Sequence, residues 1–153
     1  AHRIDVSATA TTGGILAREL ADLELAYAPQ FGSAKDPVNM LGHIAANLRD
    51  GLTETIQWHE VDAAVAAGAT VLDVRTQSEH DANAIPGSVL IPLDDLRDRL
   101  DEVPAGDLVV HCAVGLRGYL ATRVLEQHRN GQGWGRIRNL DGGMKTWLAG
   151  TGA

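Results

Sequence analysis

The chain has 153 residues, of which 44% are hydrophobic and 22% charged, a composition typical of one folded domain with or without a short appendage. Its formal net charge of −7 argues against binding to nucleic acid or to an anionic membrane through bulk electrostatics. No apolar run approaches the roughly 18 residues of a membrane span, and no signal-peptide pattern opens the chain. A single cysteine excludes an internal disulfide, which fits a reducing cytoplasm. The chain begins at Ala1 rather than at a methionine, which we interpret as a cut edge.

Residues 1–50 predict two helices joined by an irregular connector. Apolar spacing predicts the first helix over residues 14–25, and turn-forming residues follow over 27–35. The second helix is predicted to begin at Asp36 and Pro37, because aspartate caps free N–H groups and proline suits the first helical position. It should end near Gly51. Two helices cannot bury a core alone, so we expect this segment to pack against the following domain or another chain, and we predict self-association.

From about Leu52 onward, short apolar strands alternate with helices. The predicted strands cover residues 55–58, 70–74, 88–91, 108–111 and 136–140, and the predicted helices cover 59–67, 93–100, 118–128 and 143–149. Strands that are apolar on both faces and separated by helices are typical of a parallel sheet covered on both sides. The sequence therefore predicts an α/β fold for residues 51–153, with residues 1–50 as a small helical appendage.

The only cysteine, Cys112, opens a short loop between a predicted strand and a predicted helix. The loop runs from Cys112 to Arg117, so a thiol and a guanidinium lie at its two ends. Backbone N–H groups at the start of the helix, the helix dipole and Arg117 would all favour an anion on the sulfur. This is the environment of a nucleophile. The residues alone leave open the alternative of a small buried hydrophobic side chain that closes the strand.

Several polar residues follow other predicted strands, at the sheet edge where open parallel sheets bind ligands. Asp73 is expected either to hold the loop through backbone hydrogen bonds or to form an ordinary ion pair with Arg75. Glu79 is expected either to reach a loop arginine or to stay solvated. His111 precedes Cys112 on a strand, so its side chain should face the opposite side and not serve as a base for the thiol.

Two further sequence features bear on the site. The segment Asp141-Gly142-Gly143 predicts either a close backbone approach near the loop or a simple turn. The six histidines show no metal-ligand spacing, so we expect no metal site.

Five motifs, in order, resemble those of rhodanese domains over roughly residues 54–150. They are Val71–Arg75, Glu79, Ile85–Ser88, the stretch from His111 to Arg117, and Leu140–Gly143 followed by Trp147. The resemblance implies a rhodanese-like fold and a sulfurtransferase in which Cys112 carries a sulfane sulfur as a persulfide. It implies that Arg117 supports this anion and that backbone N–H groups cradle it, those of Ala113, Val114, Gly115, Leu116, Arg117 and Gly118. The resemblance also assigns loop support to Asp73, Arg75 and Glu79. One departure is Asn83-Ala84, where the family often has Gly-His; we expect it to alter loop packing or partner choice rather than the reaction.

The amino-terminal segment carries a second resemblance. The stretches 23–31 and 34–40 are similar to the end of the dimerisation domain of CoA-disulfide reductases and related flavin-dependent NADH oxidases, some of which carry a rhodanese domain after it. Residues 115–119 also resemble that fused rhodanese part. The resemblance implies that residues 1–50 are the C-terminal part of a dimerisation domain and that the parent is a homodimeric CoA-disulfide or CoA-persulfide reductase. FAD and NAD(P)H would then bind other domains, with no cofactor in this chain. Tyr27 and Lys35 would either line a CoA or active site across the parent dimer or be plain surface residues.

Three functions compete at this point. For a sulfurtransferase, the expected partners are thiosulfate, polysulfide, CoA persulfide or CoA disulfide. Since the chain has no second cysteine, the acceptor would be a small thiol or a cysteine of the reductase portion. A phosphatase of this fold would have a longer loop, with arginine six positions after the cysteine, where Gly118 stands here. A noncatalytic interaction or regulatory module is the third possibility, and the presence of both Cys112 and Arg117 weighs against it.

Overall fold

The computed structural model describes residues 2–32 and 34–152, and the chain divides into two units, Ala1–Leu52 and Thr53–Ala153. The first unit contains α1 (His2–Thr12), a 3-10 helix (Ala17–Asp22) and α2 (Pro37–Arg49). Within the described ranges, no helix has both the length and the apolar character needed to cross a membrane.

Helix α2 begins where the sequence predicts. Asp36 caps it, since its Oδ1 accepts a hydrogen bond of 2.9 Å from the Val38 N–H, and Pro37 occupies the first helical position. Asn39 on this helix donates from Nδ2 to the carbonyl oxygens of Leu20 and Leu23, at 2.9 Å each, and so fixes the preceding segment against α2.

The predicted helix over residues 14–25 is wrong. Only the six residues Ala17–Asp22 are helical, as a 3-10 helix, and the chain leaves it at Leu23 in an extended conformation. The backbone at Ala21 lies so close to Gly42 that a side chain at residue 42 would overlap it. Packing against α2 therefore determines the path of this segment. Helix α1 was not predicted, because its many threonines and weakly amphipathic sequence carry little helical signal.

The second unit is built on a parallel sheet of five strands in the order β1-β5-β4-β2-β3. The strands are β1 (Glu54–Ile56), β2 (Thr70–Asp73), β3 (Val89–Leu90), β4 (Gly106–His111) and β5 (Trp134–Leu140). The helices are α3 (Val61–Ala66), α4 (Gln77–Ala82), α5 (Leu116–Gln127) and α6 (Gly143–Thr151), with short 3-10 helices at Trp58–Glu60, Leu96–Asp98 and Leu100–Glu102. The predicted α/β fold with a parallel sheet and a helical amino-terminal appendage is confirmed.

Two hydrophobic clusters pack on opposite faces of this sheet. Successive residues of the central strands alternate between them: Leu72 and Val110 belong to one cluster, and Val71 and Val109 to the other. Burying one such side chain stabilises the fold by roughly 1.5–3 kcal/mol. Because both faces are covered, each central strand has a continuous apolar run, Val71-Leu72 in β2 and Leu108-Val109-Val110 in β4, and this is why the sequence pattern predicts them well.

The predicted helix over residues 93–100 is wrong. Two 3-10 helices replace it, separated at Arg99, whose φ of −125° interrupts the helical path. Leu96 is fully buried in this arrangement. Two short 3-10 helices therefore bury the same apolar position that suggested a continuous helix. Helix α4 was missed, although Thr76 and Glu79 form the capping box that marks such a start. Helix α5 begins at Leu116 rather than Gly118, which places Arg117 in its first turn.

Candidate active site

The thiol of Cys112 lies at the carboxyl end of β4, where the chain turns into α5. The residue is only 1% exposed and belongs to one of the two hydrophobic clusters. Its Sγ accepts a hydrogen bond of 3.1 Å from the N–H of Gly115. Gly115 precedes α5 with a φ of +107°, a left-handed conformation that glycine adopts readily. The turn therefore directs a backbone donor, and the positive end of the helix dipole, at the sulfur.

The start of α6 holds the other side of this loop. The N–H groups of Met144 and Lys145 donate to the carbonyl oxygens of Cys112 and Ala113, at 2.8 and 3.0 Å. A side chain at Gly143 would overlap the Cys112 carbonyl, so the Asp141-Gly142-Gly143 segment serves a close backbone approach. In a trans peptide the N–H points opposite to the C=O. Holding these two carbonyls toward α6 therefore turns the N–H groups of Ala113 and Val114 away from α6.

Arg117 forms a bidentate ion pair with Glu79. Its Nη1 donates to Oε2 at 2.8 Å and its Nη2 to Oε1 at 2.6 Å. Hydrogen bonds from Arg117 and from the Thr76 backbone lower the pKa of Glu79 to about 2. The Glu79 hydrogen bond in turn raises the pKa of Arg117 above its ordinary value, and the nearby Cys112 thiol adds to this. Of the two alternatives for Glu79, the structure shows contact with the loop arginine.

A second set of polar groups, the Asp73 cluster, comprises Asp73, Arg75, His80, Asn83 and His111. Asp73 is fully buried; Arg75 donates to it from Nε at 2.9 Å, from Nη2 at 2.7 Å and from its backbone N–H at 3.0 Å. His80 Nδ1 lies 2.9 Å from Asp73 Oδ2. Burial alone would raise the pKa of Asp73, but these partners and His111 outweigh it and lower the pKa below its ordinary value.

The Asp73 cluster organises the segment that carries Glu79, rather than the cysteine loop directly. Arg75 reaches from Asp73 to Asn83, donating to its side-chain oxygen at 3.1 Å and to its carbonyl oxygen at 2.7 Å. Arg75 thus ties the C-terminal end of α4 to β2. Asn83 is one of the two residues that depart from the family pattern, and it takes part in this packing.

His111 does not contact the thiol as a base would. Parallel pairing sets it beside Asp73, and its Nε2 lies 3.7 Å from Asp73 Oδ2. Burial lowers the pKa of His111 to about 4, with Asp73 opposing the shift and Arg75 adding to it. The side chain is therefore neutral at pH 7 and faces the Asp73 cluster.

The remaining predicted residues lie in the first unit. Tyr27 is 57% exposed and helps to line a cavity of about 410 Å³ together with Phe31 and Asn39. Lys35 is exposed. Among residues 2–32 and 34–152, no group of three or more histidine, cysteine, aspartate or glutamate side chains is arranged to hold a metal ion.

Fold and site together define a parallel α/β domain that presents a cysteine sulfur to a backbone N–H at a helix start. The chain belongs to the family of rhodanese-like domains, which it matches over residues 57–150. A sulfurtransferase of Allochromatium vinosum is 36% identical over 78 residues, which cover 50% of this chain and 69% of that protein. The second unit is thus a rhodanese-type sulfurtransferase domain.

Two solved structures resemble the chain over nearly its whole length. One is the reduced CoADR-RHD of Bacillus anthracis, a CoA-disulfide reductase with a rhodanese domain. It is 47% identical with a TM-score of 0.88, and the match covers 96% of this chain and 26% of the reductase chain. An NAD-dependent persulfide reductase from A. fulgidus shares 39% identity with a TM-score of 0.80, covering 95% of this chain and 25% of its own. The chain therefore spans about a quarter of the length of either reductase.

Proposed function

We propose that the second unit carries sulfane sulfur as a persulfide on Cys112. The observation that supports this most directly is the hydrogen bond from the Gly115 N–H to Cys112 Sγ, made at the start of α5. Donors fixed before the reaction stabilise a developing anion without the cost of reorganising solvent. Arg117, held by Glu79, adds a positive charge at the same helix start. No general base is required of His111, which faces the other way.

The transfer proceeds in two displacements. The Cys112 thiolate attacks the outer sulfur of a persulfide or polysulfide donor; the donor S–S bond breaks, and its inner sulfur leaves as a thiolate with the bonding electrons. Cys112 now bears a terminal sulfur anion, cradled by the N–H groups of residues 113–118. An acceptor thiolate then attacks that terminal sulfur, and Cys112 leaves as a thiolate. Sulfur is transferred with no net oxidation or reduction of the domain.

Intact mass after brief exposure to polysulfide or thiosulfate tests the carrier role. We expect the parent chain to gain one sulfur atom and to lose it to cyanide or CoA, and the Cys112→Ser variant to gain none. Failure of the parent chain to gain sulfur from any donor would contradict the proposal and favour a binding module with a structural cysteine.

We further propose that the chain is the C-terminal portion of a flavin-dependent CoA-disulfide or CoA-persulfide reductase. The likeness to the two reductases covers 96% and 95% of this chain and therefore includes most of the first unit, which lies outside the rhodanese match. FAD and NAD(P)H would bind the reductase domains, and the sulfur partners would include CoA persulfide or disulfide. Because the carrier thiol must remain reduced between turnovers, we place the protein in the cytoplasm.

Self-association through the first unit is part of the same proposal. Helix α2 exposes Leu41, Ile44 and Leu48, which are spaced on one helical face. Light scattering should show a dimer at high concentration, and Ile44→Glu should shift it toward monomer while sulfur loading of Cys112 is unchanged. A parent chain that stays strictly monomeric across concentrations would contradict this part.

A further inference from the structure

Asn139 lies at the carboxyl end of β5, beside the strand that leads to the cysteine. It pairs in register with Val110 of β4, two residues before Cys112. The side chain is only 9% exposed, and burying an amide is costly unless its polar atoms are bonded. No step of the transfer described above uses Asn139, so the presence of a buried amide at this place needs another explanation.

Its amide donates to the backbone of the loop. Asn139 Nδ2 lies 3.2 Å from the carbonyl oxygen of Gly115, which also accepts the N–H of Tyr119 at 2.9 Å. The carbonyl of Gly115 and the N–H of Leu116 belong to the same planar trans peptide and point in opposite directions. Two donors that hold the carbonyl therefore also fix the direction of the Leu116 N–H. That N–H lies in the first helical turn, where it has no intrahelical acceptor.

The side-chain oxygen of Asn139 indicates that the Nδ2 donor is what requires an asparagine at this position. Oδ1 of Asn139 is buried and has no hydrogen-bond partner among the described residues. A side chain at Gly118 would overlap that same oxygen, so the helix leaves room for the amide. An unbonded buried oxygen costs roughly 1–3 kcal/mol, and an apolar side chain of similar shape would avoid that cost.

We propose that Asn139 is a positioning residue for the sulfur-transfer reaction, which aims the Leu116 N–H at the terminal sulfur of the Cys112 persulfide. Asn139 holds the carbonyl of Gly115 in place, as the start of α6 holds the carbonyls of Cys112 and Ala113. The inference rests on the proposed function for its chemistry. The hydrogen bond on which it depends is independent of any sulfur donor.

The test compares Asn139→Leu and Asn139→Asp with the parent chain in transfer from polysulfide to cyanide. Both variants keep the approximate size of the side chain and lose the donor. We expect kcat to fall about 3- to 10-fold, since Tyr119 still holds the carbonyl, while KM for the donor changes less than twofold because Asn139 does not contact substrate. The loaded persulfide, followed by intact mass without acceptor, should decay faster by a similar factor. Gly118→Ala, which displaces the amide, should reproduce these losses.

Asn39→Leu is the matched control, because Asn39 also donates its amide to backbone carbonyls but lies in the first unit. It should leave kcat and KM unchanged. Wild-type kcat and persulfide lifetime in folded Asn139→Leu or Asn139→Asp would overturn the inference, as would an equal loss in Asn39→Leu.

Alkylation of Cys112 by iodoacetamide separates this inference from the proposed function, since it needs no sulfur donor. The Asn139 variants should react about threefold more slowly at neutral pH than the parent chain. A parent chain that takes up no sulfur would defeat the proposed function, and the alkylation rates would still decide whether Asn139 orders the loop around the thiol. Equal alkylation rates would then count against Asn139.

Discussion

Two neighbouring regions at the carboxyl edge of the sheet hold charge in opposite ways. The Asp73 cluster neutralises a fully buried carboxylate with the guanidinium of Arg75, and His80 Nδ1 lies within hydrogen-bond distance of the same carboxylate. The cysteine loop instead directs the backbone N–H of Gly115 at a single sulfur, and the nearby guanidinium of Arg117 is paired with Glu79. In the first region the carboxylate of Asp73 is hydrogen-bonded within the fold and stabilises it, although the buried ring nitrogens of His111 have no hydrogen-bond partner among the described residues. The function proposed for the second region is to hold an anion on the sulfur, so we expect reactivity and stability to respond to different substitutions.

The largest expected effect is the loss of sulfur transfer in Cys112→Ser. Transfer from polysulfide to cyanide should fall to the rate without protein, because serine cannot form a persulfide. The free energy of unfolding in urea should change by about 1 kcal/mol or less, since serine is similar in size and still accepts the Gly115 N–H. A much larger loss of stability would mean that the cysteine loop also stabilises the fold. It would then differ less from the Asp73 cluster than we expect.

Asp73→Asn should produce the converse result. It leaves the Arg75 guanidinium, whose side chain is 4% exposed, without its buried partner. Removing one member of a buried ion pair typically costs 3–5 kcal/mol, so we expect the free energy of unfolding to fall by about 3 kcal/mol. The fraction of folded molecules that take up sulfur at saturation should remain near that of the parent chain. An unchanged urea midpoint would contradict the structural role of this cluster.

His111 makes the Asp73 cluster sensitive to acid. Its pKa is about 4 in the folded chain against an ordinary 6.5, so the unfolded state binds a proton that the folded state does not. Stability from this group is present above pH 6.5 and is lost as the pH falls toward 4, by about 3 kcal/mol in total. Urea unfolding of His111→Phe should therefore lose less stability between pH 7 and pH 4 than the parent chain. The same substitution at exposed His43 should leave that difference unchanged; parallel pH curves for the parent chain and His111→Phe would refute the assignment.

The sequence predicted the parts of the site that depend on chain order. A buried strand followed by a helix start determines where Cys112 lies, and parallel strands bring Asp73 to the same edge of the sheet as the cysteine loop. The predicted contact between Glu79 and the loop arginine is also present, although the residues alone left a solvated glutamate equally open. These features follow from local patterns and from the rule that strand ends meet at one edge of the sheet.

Other features depend on distant packing and left no readable signal. Two 3-10 helices replace the helix expected over residues 93–100. The apolar spacing could not distinguish them, because Leu96 is buried in either arrangement and the break at Arg99 has no sequence marker. Asn139 was not singled out, since an asparagine at a strand end is unremarkable until its distance to Gly115 is known. The link from Arg75 to Asn83 likewise requires the folded path of α4. Only the start of α4 had an unused signal, the Thr76 and Glu79 capping box.

Within this comparison of the two regions, the smallest expected effect lies where they meet, at the ion pair between Glu79 and Arg117. Glu79→Gln keeps a side-chain oxygen for the Thr76 backbone but removes the charge that fixes the guanidinium. We expect the rate of sulfur transfer to fall about tenfold, because Arg117 is then free to leave the helix start. Both side chains are about one-third exposed, so the free energy of unfolding should change by less than about 1 kcal/mol.

Glu54→Gln is the matched control for this last comparison. Glu54 accepts two hydrogen bonds from Arg136, at 3.0 and 2.7 Å, in an exposed ion pair on β1 and β5. Removing that charge should alter stability as little as Glu79→Gln does and leave sulfur transfer unchanged. If both variants transfer sulfur at the parent rate, Arg117 holds its place without Glu79, and the loop is independent of the α4 segment that the Asp73 cluster anchors. If only Glu79→Gln is slow, the buried cluster contributes to reactivity through this surface ion pair, which joins α4 to the first turn of α5.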